Sequence, residues 1–157
     1  MPKPLIFGLI SALHDLFTAM WMGGLLTTAI ALMPAIKGSS EKPGSLITLL
    51  KAYHRQLRVV AVVSMLGLWI TGLLLSRQSP ASAGFLNFSD TYNMLLSVKH
   101  LLVFVMVGIG LYRGYILGRR IEQFNAKDQK AYAILLIINT LLGVAVVLLS
   151  GISAVMG

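Results

Sequence analysis

The 157-residue chain has no cysteine, and only five of its residues are acidic. The first absence excludes disulfides, thiolate metal sites, iron–sulfur clusters and covalent c-type haem attachment. The second leaves Asp15, Glu41, Asp90, Glu122 and Asp128, which form no paired acid/base set within the apolar stretches. Charged residues make up 11% of the chain, against about a quarter in a soluble domain. No phosphate loop, dinucleotide fingerprint or nucleophile elbow is present, so the common soluble-enzyme chemistries lack their signatures. The net charge of +8 is not interleaved with aromatic residues, and no nucleic-acid face is expected. Internal repeats and low-complexity segments are absent as well.

What the chain has in abundance is apolar sequence, 57% of its residues. It falls into four runs that predict helices over about 4–36, 45–76, 91–118 and 130–156. A helix needs roughly 20 apolar residues to cross the hydrocarbon core, and each run supplies about that many or more. Uninterrupted runs without alternation exclude a barrel, so the expected fold is all-α. It is an integral membrane four-helix bundle, up-down-up-down, forming a single transmembrane domain over 1–157. Lys3 before an apolar run resembles a leader peptide, but His14 and Asp15 interrupt that run and hydrophobicity then resumes. The segment reads as a retained spanning helix.

The loops set the expected orientation. The first connection and its flanks carry Lys37, Lys42, Lys51, Arg55 and Arg58. The third carries Arg113, Arg119, Arg120, Lys127 and Lys130. The opposite side holds Lys3, Arg77 and Lys99, so the positive-inside rule places both termini outside a prokaryotic-type inner or plasma membrane. The second connection, Arg77 to Asp90, is then an outer loop. Tyr112, Tyr115 and Tyr132 read as interfacial anchors.

Polar groups at membrane depth are expensive and therefore mark functional candidates. His14 and Asp15 lie on helix one, Lys99 and His100 on helix three, and Asn139 and Thr140 on helix four. His14 and His100 both fall roughly 14–15 Å below the outer ends of their helices at 1.5 Å per residue. Two neutral imidazoles at matched depth can clamp haem b from both faces. Thr18, Trp21, Met22 and Leu25 continue the His14 face, and Phe104, Val107 and Leu111 continue the His100 face. These stripes suit a haem wall or ordinary bundle core equally. Asp15 can orient an imidazole, or pair with Lys99, which can also meet a haem propionate. His54 starts from the inner end beside Arg55 and Arg58, which snorkel towards headgroups. A second, inner haem on His54 would need a non-histidine partner or an open position. The run Gly110-x3-Gly114-x3-Gly118 is a small-residue face, suited to close packing within the bundle, to a homodimer, or to a flat cofactor against the backbone.

The stretch His14-Asp15-Leu16-Phe17-Thr18-Ala19-Met20-Trp21-Met22-Gly23-Gly24 reads H-x6-W-x-G-G. It resembles the first helix of the copper resistance protein D family and of the related bacterial membrane protoporphyrinogen oxidases. Arg58 to Leu75, with Thr71-Gly72, is similar to that superfamily's second helix, and Ser97-Val98-Lys99-His100-Leu101-Leu102-Val103 to its third. The resemblance implies a four-helix module binding haem b, with His14 and Lys99 at the oxidases' important His and Lys. His100 replaces an apolar residue of that pattern, which favours a second haem ligand and weakens the transfer of oxidase activity. The expected cofactor-binding set is therefore His14, His100, Lys99, Trp21, Arg58 and His54, with His14 and His100 on the iron.

The leading expectation is a haem b membrane protein with a redox role. Two fixed histidines suit electron transfer with a redox partner. One displaceable histidine suits oxidation of a gas or small molecule, which would make the protein a haem-dependent oxidoreductase. The alternatives are a protoporphyrinogen IX oxidase of haem synthesis and a copper permease. For copper the outer set would be His14, Met94 and His100, although no Met-x3-Met ladder lines a path in the sequence.

Overall fold

The computed structural model describes residues 3–38, 43–78, 88, 91–118 and 126–156. Their regular structure is entirely helical and forms four rods. The first, α1, is α-helical over Lys3–Leu26, π-helical over Thr27–Leu32 and α-helical again over Met33–Lys37. The second, α2, spans Pro43–Gln78. The third, α3, is α-helical over Thr91–Leu111 and π-helical over Tyr112–Leu117. The fourth, α4, spans Ala126–Met156. All four are long and apolar enough to cross a membrane. The all-helical expectation holds, with α2 and α4 starting a little earlier than the apolar runs suggested. Lys42, Arg119, Arg120 and most of the second connection lie outside the described residues.

The π-helical stretch of α1 has a local cause. Pro34 has no N–H, and its ring crowds the carbonyl four residues back. The turn before it relaxes to the wider spacing, and the Met33 N–H reaches Thr28 O. In α3 the Gly118 N–H likewise reaches Arg113 O, five residues back. The wide turn shifts which side chains point inward: Arg113 and Leu117 are buried, while Leu111, Tyr112 and Tyr115 stay exposed.

Antiparallel seams join the rods. Along α1 and α2, His14 meets Thr71, Phe17 meets Gly67, Gly24 faces Leu57 and Thr28 meets Tyr53. Along α3 and α4, Met106 faces Gly143, Gly110 faces Asn139 and Arg113 covers Tyr132. α1 also packs on α4, whereas α2 and α3 pack less closely. They touch through Trp69–Phe104 and Arg58–Tyr115. The core is narrow: Trp21, Met22, Leu25, Met106, Leu117, Tyr132 and Leu136. Many large apolar side chains face outward, as they must where the surrounding medium is lipid. Several hydroxyls inside the bundle are satisfied on their own helices, as in Thr28 to Gly24 O (2.6 Å) and Thr140 to Leu136 O (2.9 Å).

The glycine stripe of α3 does not pack as one unit. A methyl group at Gly108 or Gly114 would meet nothing within 4 Å, and at Gly110 it would approach Met65 at 3.2 Å. The tight glycines are elsewhere, at Gly24, Gly67 and Gly143. At Gly67 any side chain would overlap the Phe17 ring. Gly67→Ala is expected to lower stability by about 1–3 kcal/mol through overpacking, whereas Gly108→Ala is expected to be neutral or slightly stabilising. Thermal unfolding in detergent checks this; equal melting temperatures for the two variants would contradict the α1–α2 seam.

Candidate functional site

Three levels of polar and soft side chains lie along the bundle interior. The first is at the His14 end. His14 Nδ1 is 2.9 Å from Thr71 Oγ1, and the Thr71 hydroxyl lies 2.7 Å from Gly67 O. The threonine has one proton, and its own helix carbonyl takes it. Nδ1–H of His14 therefore donates to Thr71, and Nε2 keeps its lone pair. Gly72 lies against the ring, with 3.6 Å between its missing methyl position and His14 Cε1. Lys99 comes within electrostatic reach of His14 and Asp15. His100 is half-buried and engages the backbone of Leu96. Met94 is 44% exposed.

The second level is the centre. Met22 from α1 and Met106 from α3 both run up against Gly143 of α4, and Met65 of α2 packs beside them against Gly110. Methionines from three helices thus pack on one apolar core cluster, two of them at Gly143 and the third at Gly110. Sequence reasoning missed this cluster because Met22, Met65 and Met106 lie far apart in the chain and form no ladder on any one helix. The signal available was their position at the middle of three separate apolar runs.

The third level is the His54 end. His54 Nδ1 is 3.2 Å from the Tyr132 hydroxyl. The Arg113 guanidinium sits over the Tyr132 ring at 5.2 Å, and that of Arg58 over Tyr115 at 5.4 Å. These groups line a cleft of ≈ 620 Å³ counted with its open mouth, together with Trp21, Met65 and Asn139. Arg113 and Tyr132 are thus corrections to the sequence reading. Arg113 does not belong to a loop, and Tyr132 is not an interfacial anchor. Both are buried, at 6% and 3% exposure, with the guanidinium over the tyrosine ring and the tyrosine hydroxyl at His54. Tyr112 and Tyr115 do remain exposed.

The stripes beside the histidines divide. Trp21, Met22 and Leu25 are core, but Phe104 and Leu111 are 49% and 42% exposed, because α3 turns its Met106–Arg113–Leu117 line inward instead. His14 and His54 attach to opposite ends of α2, about 25 Å apart along that helix at 1.5 Å per residue. The cleft contains His54 and neither His14 nor His100. Its lining holds one histidine, so it does not supply a two-histidine haem set. Among the described residues no three His, Asp or Glu side chains group as a metal site.

A model of the copper resistance protein D family matches residues 51–153, more than half of the chain. The matched part takes in most of α2, all of α3 and most of α4, and leaves the H-x6-W-x-G-G stretch of α1 outside. No curated protein and no solved structure matches.

The Thr71 contact is directly testable. Thr71→Val removes the acceptor of the His14 N–H and is expected to cost about 1–3 kcal/mol for the unpaired donor, while Thr71→Ser is expected to retain most of the stability. Detergent melting curves compare them; a valine variant as stable as wild type would contradict the bond.

Proposed function

The chain belongs to the copper resistance protein D family, and we propose that it is a copper permease that takes Cu(I) into the centre of the bundle. The observation that carries this reading is the convergence of Met22, Met65 and Met106. Thioethers are soft, neutral ligands that favour Cu(I) over the harder divalent ions. A neutral ligand set suits a monovalent cation in a medium where every extra charge is costly. At the His14 end the Asp15 carboxylate offsets the Lys99 ammonium within its electrostatic reach, and the His14 Nε2 lone pair offers a ligand on the way to the thioethers. Arg58 and Arg113 make the opposite end repulsive to a cation.

The basic residues flanking the first and third connections support an orientation with the His54 end in the cytoplasm and both termini outside. Copper then enters from the outer face. Because the chain has no cysteine, Gly157→Cys gives a single thiol. An impermeant maleimide applied to intact spheroplasts is expected to label it; labelling only after lysis would reverse the orientation.

The copper reading is tested on purified protein by competition with a Cu(I) chelator. Met22→Leu and Met106→Leu conserve volume and so spare the fold. Together they are expected to weaken Cu(I) binding at least tenfold, while Met20→Leu, at the cleft rim, leaves it unchanged. Unchanged affinity in the double variant would overturn the reading. A protein that purifies red, with a Soret band abolished by His14→Ala or His100→Ala, would replace it with the haem b reading.

A further inference from the structure

The cleft at the His54 end is electrostatically incomplete. Arg113 is 6% exposed and its Nη1 has no hydrogen-bond partner. Stacking over Tyr132 offsets only part of the cost of burying a guanidinium. A cation–π contact is weaker than the penalty of taking an ion out of water. A second guanidinium, Arg58, lines the same cleft, and no carboxylate among the described residues does. Asn139 is fully buried, lines the cleft too, and makes no hydrogen bond through either its amide oxygen or its nitrogen. In a membrane interior these groups require a polar, negatively charged occupant.

We propose that this cleft binds the phosphate of an anionic glycerophospholipid. A phosphate presents several acceptor oxygens to planar guanidinium forks, here those of Arg113 and Arg58, and can accept from the Asn139 amide. The remaining lining is apolar, with Trp21, Leu25, Ala61 and Met65 forming a wall for the start of one acyl chain. The opening fits entry from the bilayer. α2 and α3, which flank the cleft, pack less closely than the neighbouring pairs, and the exposed residues Leu111 and Tyr115 form its rim. The enclosed part of the cleft is small, so the phosphate group enters it and the rest of the lipid stays in the bilayer. The assignment is independent of the copper reading.

Native mass spectrometry of the full chain in detergent, titrated with phosphatidylglycerol or phosphatidylcholine, tests it. One phosphatidylglycerol per chain is expected, with phosphatidylcholine at least tenfold weaker. Arg58→Gln, at the half-buried edge, is expected to weaken phosphatidylglycerol at least tenfold. Arg55→Gln, on the exposed side of the same helix end, is expected to leave it unchanged. Equal loss in both variants, equal binding of the two lipids, or no effect of Arg58→Gln would overturn the proposal. Excess inorganic phosphate is expected not to strip the lipid; if it does so and takes its place, the site is one for free phosphate and the lipid assignment fails. A second readout follows Trp21. In a Trp69→Phe background, brominated phosphatidylglycerol in phosphatidylcholine vesicles is expected to quench Trp21 in an Arg58-dependent way, and quenching unaffected by Arg58→Gln would count against the site.

Discussion

A polar side chain in hydrocarbon has no water to turn to, and this single constraint arranges the interior of the molecule. Threonine and serine hydroxyls fold back on their own helix carbonyls. His14 takes Thr71 as its partner across the α1–α2 seam, His54 takes Tyr132, and Arg113 covers the face of the same tyrosine. The groups that remain unmatched are informative because the medium penalises them so heavily. Asn139 and the Arg113 guanidinium face the cleft with hydrogen-bonding capacity in hand.

The π-helical turns connect backbone to chemistry. The Pro34-driven turn of α1 contains Thr28, which accepts from Tyr53 at 2.8 Å while donating to Gly24 O. The turn in α3 carries Arg113 inward. Wide turns of this kind are often found at functional sites, and here they flank the end of the bundle where cationic groups collect. The result is a graded interior: an imidazole beside a carboxylate at one end, thioethers at the centre, guanidiniums and phenols at the other. On the proposed copper reading, the central thioethers are the ligands and the arginines oppose a cation at the far end.

Long apolar runs made the four helices legible, because lipid demands continuous hydrophobicity and nothing else in the chain competes with that signal. His14, Trp21, Met22 and Leu25 were legible as one face of a helix, since α1 keeps ordinary spacing through that stretch. Arg113, Tyr132 and the Phe104–Leu111 stripe were misread for a different reason. A π-helical turn set the direction of Arg113 and tertiary packing that of the others, and neither leaves a mark in local spacing. Loop counting put Arg113 at the interface, where most membrane arginines belong. The thioether cluster was hidden for the same tertiary reason, being built from one methionine on each of three helices.

The most direct test of the central claim is X-ray absorption spectroscopy at the copper edge on purified protein loaded with one equivalent of Cu(I). The account predicts a first shell dominated by sulfur, lost in the Met22→Leu, Met106→Leu double variant. A shell of nitrogen and oxygen alone, unchanged by those substitutions, would contradict it.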